Sequence, residues 1–155
     1  MWTSKLDPTF FQNISLREHL EKFVQLLSEN SAEPFVDFFE QFCSGIQFGT
    51  STPLLYIEGN IGAGKSTFLN YFTNLGDNIA VIDEPLFIWQ NIVDGATNTD
   101  SLAHFYKALA EKYALFVLKF ELLALFTRVC ILVEKINNNP DAKLFVSERS
   151  IFTDR

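Results

Sequence analysis

The chain has 155 residues, of which 48% are hydrophobic, and a formal net charge of −7. This length and composition fit one globular domain with a substantial core and are short for two. The acidic balance argues against nucleic acid or an anionic membrane surface as the main partner, because both attract a basic face. We therefore expect no nucleic-acid partner and no membrane partner. Any bound phosphate must be held by groups at one site rather than by a basic surface.

The stretch 113–133 is apolar enough to resemble a membrane span. Lys119, Glu121 and Arg128 would lie within it, and each would cost roughly 2.5–3.5 kcal/mol near the centre of a bilayer. A buried helix or a helix at a dimer interface is the better interpretation.

The two cysteines, Cys43 and Cys130, have neither a CxxC partner nor a histidine companion that would indicate a metal site. Free thiols in a reducing compartment are the simpler interpretation. The first ten residues lack the apolar core of a signal peptide and the arginine-rich character of a transit peptide. We therefore expect a cytoplasmic protein.

Two amphipathic helices are predicted before residue 50. Ser15 and Glu18 have the spacing of a capping box and predict a helix over residues 15–29. A second helix can start at Pro34. Its apolar stripe consists of Phe35, Phe38, Phe39 and Phe42. A linker rich in Gly, Ser and Thr follows, so we treat residues 1–50 as an N-terminal helical extension.

From residue 51 to residue 155 the pattern changes to short apolar strands separated by helices. Strands are predicted at 54–58, 79–83 and 144–147, with helices at about 65–74 and 101–136. Such alternation implies parallel pairing, and hence an α/β fold with a parallel sheet flanked by helices. The last helical segment exceeds an ordinary helix length, so we expect a break near residues 110–112.

The strongest local signal is Gly59-Asn60-Ile61-Gly62-Ala63-Gly64-Lys65-Ser66-Thr67, which satisfies the phosphate-binding pattern G-x-x-x-x-G-K-[ST]. It follows a predicted strand and opens a helix, so backbone N–H groups can surround phosphate oxygens. The glycines let the backbone approach the phosphates, Lys65 can reach the β- and γ-phosphates, and Ser66 is placed to ligate Mg²⁺. The alternative is a glycine-rich turn with a solvated lysine.

This loop alone leaves GTPases, ATPases and kinases open, but no N-K-x-D base-reading motif of GTPases is present. Two further motifs follow, namely Glu84-Pro85 with Trp89 and the octapeptide Glu-Arg-Ser-Ile-Phe-Thr-Asp-Arg at 148–155. With these three motifs in order, residues 54–155 resemble the deoxynucleoside kinase family, and its deoxycytidine/deoxyguanosine kinase branch most closely. The resemblance implies a P-loop kinase fold and transfer of phosphate from ATP, or another nucleoside triphosphate, to the 5′-hydroxyl of a deoxynucleoside.

The resemblance also assigns roles in catalysis. Glu84 corresponds to the general base that takes the 5′-hydroxyl proton, and its position at the carboxyl end of a strand beside the phosphate loop agrees with this. Asp83 is the weaker candidate, because it would point to the opposite face. Glu148 corresponds to an Mg²⁺ ligand and Arg149 to a phosphate clamp, with an ordinary exposed ion pair as the alternative.

Other positions resemble the family's nucleoside site. Trp89 corresponds to a tryptophan that lines the pocket, although a plain core tryptophan explains it equally well. Phe105 and Tyr106 resemble an aromatic pair whose tyrosine contacts the sugar 3′-hydroxyl, with a half-buried helix tyrosine as the alternative. Arg128 and Asp154 match an Arg/Asp pair that favours amino-bearing bases, with a structural salt bridge as the alternative.

Glu121 departs from the family, which has glutamine at this position. A carboxylate only accepts hydrogen bonds, whereas an amide also donates, so two adjacent donors such as those of guanine would suit Glu121 best. A register shift of one helical turn would instead place Val117 or Leu118 there.

The chain stops directly after the third motif, whereas the family continues with a lid and further strands. We therefore expect a truncated kinase domain over residues 51–155, incomplete at its C-terminus, with a homodimer through the 101–136 segment as a further hypothesis. A catalytically silent, kinase-derived scaffold is the alternative function. Against this alternative stand four intact residues, namely Lys65, Ser66, Glu84 and Arg149. A nucleoside monophosphate kinase is disfavoured, because those enzymes usually show an Asp-Arg pair where this chain has Glu-Arg-Ser at 148–150.

Overall fold

The computed structural model describes residues 2–5, 11–28, 33–45, 51–94 and 98–151. The chain divides into two compact units. The first unit comprises Met1–Gln47 with Pro85–Thr127, and the second comprises Phe48–Glu84 with Arg128–Arg155. In chain order the elements are β1 (Trp2–Ser4), α1 (Ile14–Leu26), α2 (Glu33–Gly45), β2 (Leu54–Ile57), α3 (Lys65–Thr73), β3 (Ile79–Ile82), α4 (Leu86–Asn91), β4 (Ile92–Asp94), β5 (Thr99–Asp100), α5 (Ser101–Ala110), α6 (Ala114–Asn138) and β6 (Leu144–Glu148).

The second unit is built on a parallel sheet of three strands in the order β2-β6-β3. These are the three strands predicted from the sequence, each within one residue of its expected end. The central strand β6 is the most buried, as expected for a strand with a neighbour on each side. The predicted α/β fold with a parallel sheet flanked by helices is confirmed.

An apolar core holds this sheet against the last turns of α6. It consists of the buried Ala80, Ile82, Leu132, Ala142 and Phe145, with Leu54, Ile131 and Ile136 packed around them. Cys130 is also fully buried. Burial, and to a lesser extent the charge of Glu134, raises the pKa of the Cys130 thiol, so the thiol stays protonated at neutral pH.

The expected break in the long helical segment is confirmed. Helix α5 ends at Ala110 and α6 begins at Ala114. Between them Lys112 has a left-handed backbone conformation, with a φ of 58°, and the amide of Tyr113 donates to the carbonyl of Ala108 at 2.8 Å. This is how a helix commonly ends, since a left-handed residue turns the chain away from the axis. No helix in the described ranges combines the length and the apolarity needed to cross a bilayer.

The start of α1 differs from the prediction. The helix begins at Ile14, and its N-cap is Asn13, whose side-chain oxygen accepts a hydrogen bond from the amide of Leu16 at 3.3 Å. The prediction that Ser15 caps this helix is wrong. The hydroxyl of Ser15 instead contacts Nδ1 of His19 at 3.3 Å. Asparagine is as good an N-cap as serine, so the earlier residue takes the role.

Several short elements of the first unit were missed from the sequence. Strands β1, β4 and β5 form an antiparallel sheet in the order β1-β4-β5, in which Trp2 pairs with Asp94 and Ser4 with Ile92. Helix α4 follows directly after Pro85. Elements of two to six residues contain too few positions to show a hydrophobic period, and a pairing between residues 2 and 94 leaves no local signal.

Aromatic side chains form the core between α1, α2 and α6. Phe126 stacks on Phe23, with ring centroids 4.3 Å apart, and lies 4.6 Å from Phe42 and 5.4 Å from Phe38. Phe38 and Phe42 belong to the predicted stripe of α2 and are buried, and Phe39 contacts the same cluster. The side chain of Phe35 lies outside the described part.

Truncating the centre of this cluster tests whether it stabilises the first unit. Phe126→Ala is expected to lower the free energy of unfolding by about 3–5 kcal/mol, because it leaves a cavity among aromatic rings. Urea unfolding followed by tryptophan fluorescence measures this, since Trp2 and Trp89 both lie in the first unit. Lys135→Ala, at an exposed site on the same helix, should change the value by less than about 0.5 kcal/mol. Equal losses for both variants would contradict this account of the core.

Candidate active site

Three glutamates stand at the carboxyl ends of the three parallel strands in the second unit. Glu58 directly follows β2, Glu148 is the last residue of β6, and Glu84 lies two residues beyond β3. The pairing aligns these ends, because Ile57 pairs with Glu148 and Ile82 pairs with Ser147. In open α/β sheets, ligands bind at this edge.

The glycine-rich loop leaves β2 at the same edge and leads into α3. Gly62 and Gly64 have φ values of 80° and 82°, a left-handed conformation that residues with a Cβ rarely adopt. The amide of Ala63 donates to the carbonyl of Asn60 at 3.1 Å, which closes a turn within the loop. Helix α3 begins at Lys65, so its first amides point toward the loop. Such a helix N-terminus attracts phosphate.

Lys65 and Ser66, the first two residues of α3, both contact Glu148. The ammonium of Lys65 lies 3.6 Å from one carboxylate oxygen of Glu148 and donates to the carbonyl of Asn60 at 3.2 Å. The hydroxyl of Ser66 donates to the other carboxylate oxygen at 2.9 Å. Lys65 and Glu148 are both buried, so their opposite charges compensate each other away from water.

The side chains of Ser66 and Glu148 carry oxygen atoms that suit an Mg²⁺ ion. A hydroxyl and a carboxylate are hard oxygen ligands, and Mg²⁺ typically takes one or two protein carboxylates together with substrate phosphates and water. In the part of the chain that the structure describes, no group of three or more His, Cys, Asp and Glu residues forms an all-protein metal cage. Ser66 and Glu148 are therefore suited to an ion that is shared with a phosphate ligand.

Glu84 lies between two arginines. The guanidinium of Arg128 donates to Oε1 of Glu84 at 2.6 Å, and Nε of Arg149 lies 3.4 Å from the same oxygen. The carboxylate is largely buried, with 17% of its side chain exposed. Two cations thus hold the carboxylate in one position. Asp154, the partner predicted for Arg128, lies outside the described residues.

Arg149 lies in a tight turn directly after β6 and has a φ of 64°, which is unusual for a residue with a long side chain. Its amide donates to the carbonyl of Ile57 at 3.1 Å, and its carbonyl accepts from the hydroxyl of Ser147 at 3.3 Å. The next amide, that of Ser150, donates to the Glu58 carboxylate at 2.6 Å. Glu58 was missed from the sequence, although a carboxylate directly before the glycine-rich loop and at a strand end was a usable signal.

A small cavity of about 10 Å³ adjoins Arg128, Glu148 and Arg149. This is room for about one water molecule. Tyr56 of β2 lines it, and burial raises the pKa of the Tyr56 phenol above its ordinary value.

The remaining predicted substrate residues lie in the first unit. Trp89 is buried, and its indole N–H donates to the hydroxyl of Thr127 at 2.9 Å. The ring of Phe120 lies 5.4 Å from Trp89 and stacks on Phe105 at 4.4 Å. Tyr106 is half-exposed and contacts Phe105 edge-on, and Glu121, the neighbour of Phe120, is exposed. Trp89, Phe105 and Tyr106 therefore share one aromatic cluster with Phe120, and such a cluster serves equally well as part of a core.

The sequence profile of the deoxynucleoside kinase family matches residues 55–155. The chain belongs to this family. Among its relatives are human deoxycytidine kinase, 28% identical over 117 residues, and the rat (Rattus norvegicus) enzyme of that name, 27% identical over 129 residues. These alignments cover 69% and 75% of this chain, and 45% and 50% of the two relatives. The chain thus spans about half the length of the curated relatives it matches.

The family match includes the glycine-rich loop, the Glu84 and Trp89 motif and the final octapeptide. It also includes Glu58 and Tyr56, for which the sequence predicted no role. Residues 1–54, which contain β1, α1 and α2, lie outside the matched range. The family membership of this chain therefore rests on the segment that carries the candidate site.

Proposed function

We propose that this member of the deoxynucleoside kinase family transfers the γ-phosphate of ATP, or of another nucleoside triphosphate, to the 5′-hydroxyl of a deoxynucleoside. The observation that carries the proposal lies within the second unit. A phosphate-binding loop, a lysine, a hydroxyl-carboxylate pair and a carboxylate held by two arginines all lie at one edge of one parallel sheet.

In this proposal the loop and the first turn of α3 bind the donor. Main-chain amides of residues 59–67 surround the phosphates, and Lys65 turns from the carbonyl of Asn60 toward the β- and γ-phosphates. Ser66 and Glu148 would hold Mg²⁺, which neutralises charge on the phosphates when it is bound. The short contact between these two side chains supports the assignment, because both oxygens are already adjacent.

Glu84 receives the proton of the 5′-hydroxyl in this proposal, as the general base. Arg128 and Arg149 fix its carboxylate, and a fixed base is worth more than a mobile one because less reorganisation precedes proton transfer. Arg149 is also proposed to donate to the negative charge that develops on the transferred group. Lys65, Glu84 and Arg149 are therefore the proposed catalytic residues.

The proposed nucleoside site uses the residues that resemble the nucleoside site of the family. Trp89 and Phe105 supply apolar contacts, and Tyr106 contacts the sugar 3′-hydroxyl. Glu121, Arg128 and Asp154 read an amino-bearing base. Two observations support this proposal. Trp89 and Phe105 both contact the ring of Phe120, and Tyr106 is half-exposed.

Further proposals concern the surroundings of the protein. We propose a cytoplasmic location, and a homodimer through the helical segment 101–136. The dimer is supported by large apolar side chains that are at least half exposed on or beside α5 and α6, namely Leu109, Tyr113, Leu115 and Leu118. The division into an N-terminal helical extension and a kinase domain that begins at residue 51 also stays a proposal.

Phosphate transfer from ATP·Mg²⁺ to each of the four common deoxynucleosides tests the proposed function. We expect wild type to phosphorylate at least one of them, and Lys65→Ala to lower kcat/KM by about 100-fold or more, because a charge that stabilises the transferred group is lost. Asp77→Ala, which removes an exposed carboxylate between α3 and β3, is the matched control and should leave kcat/KM unchanged. Binding of ATP·Mg²⁺ without phosphorylation of any deoxynucleoside would support the catalytically silent scaffold instead.

The choice of base provides a separate test. If Glu121 accepts from the two adjacent donors of guanine, Glu121→Gln should lower the ratio of kcat/KM for deoxyguanosine to that for deoxycytidine by about tenfold, because an amide replaces a charged acceptor. Leu118→Ala, one turn earlier on α6, is the control for the register. An unchanged ratio in Glu121→Gln would rule out base reading by this side chain.

A further inference from the structure

We infer that Glu58 is a positioning residue, which holds the Arg149 turn in its active geometry by accepting a hydrogen bond from the Ser150 amide. Its carboxylate lies 2.6 Å from that amide nitrogen. For its catalytic consequence this inference rests on the proposed function, because Arg149 matters only if phosphate is transferred.

The Arg149 turn needs such support because its backbone is in an unfavourable conformation. A φ of 64° brings the Cβ of a non-glycine residue close to its own carbonyl oxygen, and such residues persist where the surrounding contacts hold them. Arginine cannot be replaced by glycine at this position without loss of the guanidinium that contacts Glu84 at 3.4 Å. The turn therefore combines a required side chain with a disfavoured backbone.

The backbone of the turn makes several hydrogen bonds. The amide of Arg149 donates to the carbonyl of Ile57, which continues the pairing of β2 with β6, and the carbonyl of Arg149 accepts from the hydroxyl of Ser147. The hydrogen bond from the Ser150 amide differs from these two because its acceptor, Glu58, is a charged side chain. Hydrogen bonds to an ionised acceptor are about twice as strong as neutral ones. Ser150 is buried, with 5% of its surface exposed, so its amide needs an acceptor, and the side chain of Glu58, which is itself exposed, supplies one.

The position of Glu58 in the chain gives this contact a second consequence. Glu58 is the residue directly before Gly59, so the hydrogen bond connects the residue that precedes the glycine-rich loop to the turn that carries Arg149. The loop is proposed to hold the donor phosphates, and Arg149 is proposed to act on the phosphoryl group that leaves them. This hydrogen bond thus adds to the pairing of β2 with β6 in connecting the proposed phosphate-binding loop to the turn of Arg149.

Two measurements on matched variants test the inference. Glu58→Ala removes the acceptor, Glu58→Asp keeps the charge but shortens the side chain by one methylene, and Glu58→Gln keeps an acceptor oxygen at the same length. Asp77→Ala again serves as the exposed control. Amide hydrogen exchange of Ser150, measured by NMR on the full chain, reports the contact directly, and steady-state kinetics report its effect on catalysis.

We expect Ser150 exchange to accelerate by about tenfold or more in Glu58→Ala and Glu58→Asp, and much less in Glu58→Gln. The same two variants should lose about tenfold or more in kcat, with the KM for ATP changed by less than about twofold, because donor binding persists while Arg149 is misplaced. In an Arg149→Lys background, Glu58→Ala should lower kcat little further. A role in folding alone would make the two losses additive.

Unchanged exchange of Ser150 in both Glu58→Ala and Glu58→Asp would overturn the inference, as would additive losses in the double variant. If Glu58→Ala does not fold, Glu58→Asp provides the same comparison with the charge retained. Absence of any wild-type turnover would contradict the proposed function, and the Ser150 exchange rates would then decide by themselves whether Glu58 holds the turn.

Discussion

Parallel pairing of β2, β6 and β3 is the constraint on which the candidate site depends. Parallel strands end at the same edge, and the observed register brings the carboxylates of Glu58, Glu84 and Glu148 to that edge. The buried carboxylate of Glu148 and the largely buried carboxylate of Glu84 need partners because they are shielded from water, whereas Glu58 is exposed. The chain supplies Lys65 to Glu148, two arginines to Glu84 and a main-chain amide to Glu58. These pairings fix the lysine and one arginine of the proposed mechanism in place.

The groups proposed for phosphate transfer and the aromatic cluster lie in different units. The second unit holds the groups suited to phosphate and to proton transfer, and the first holds the aromatic cluster of Trp89, Phe105 and Phe120. Helix α6 belongs to both, because its residues up to Thr127 count with the first unit and those from Arg128 onward with the second. One continuous helix therefore carries Phe120 and Glu121 in one unit and the Glu84-binding Arg128 in the other.

Long and regular features of the fold could be predicted from the sequence. A run of residues with a recognisable local pattern predicts each of the three parallel strands and the helix after the glycine-rich loop. The break between α5 and α6 follows from the unusual length of the helical segment. The antiparallel sheet of β1, β4 and β5 has no such run, because its strands are two or three residues long and β1 pairs with β4 across some ninety positions. The cap of α1 was misplaced because two acceptable capping residues, Asn13 and Ser15, lie close together.

The candidate site could be predicted from the sequence where a local motif indicates its chemistry. The phosphate loop and Glu84 could be chosen from the sequence, and the family match contains both. The role inferred for Glu58 could not, because it depends on the backbone conformation of a turn some ninety residues later. The base-reading roles of Glu121 and Asp154 stay predictions. A crystal structure of the chain with Mg²⁺, ADP and a deoxynucleoside tests the central claim most directly. The account predicts ADP phosphates on the amides of residues 59–66 and the Glu84 carboxylate at about 2.6–3.2 Å from the 5′-hydroxyl. A carboxylate directed away from a bound nucleoside, or phosphates bound elsewhere, would contradict it.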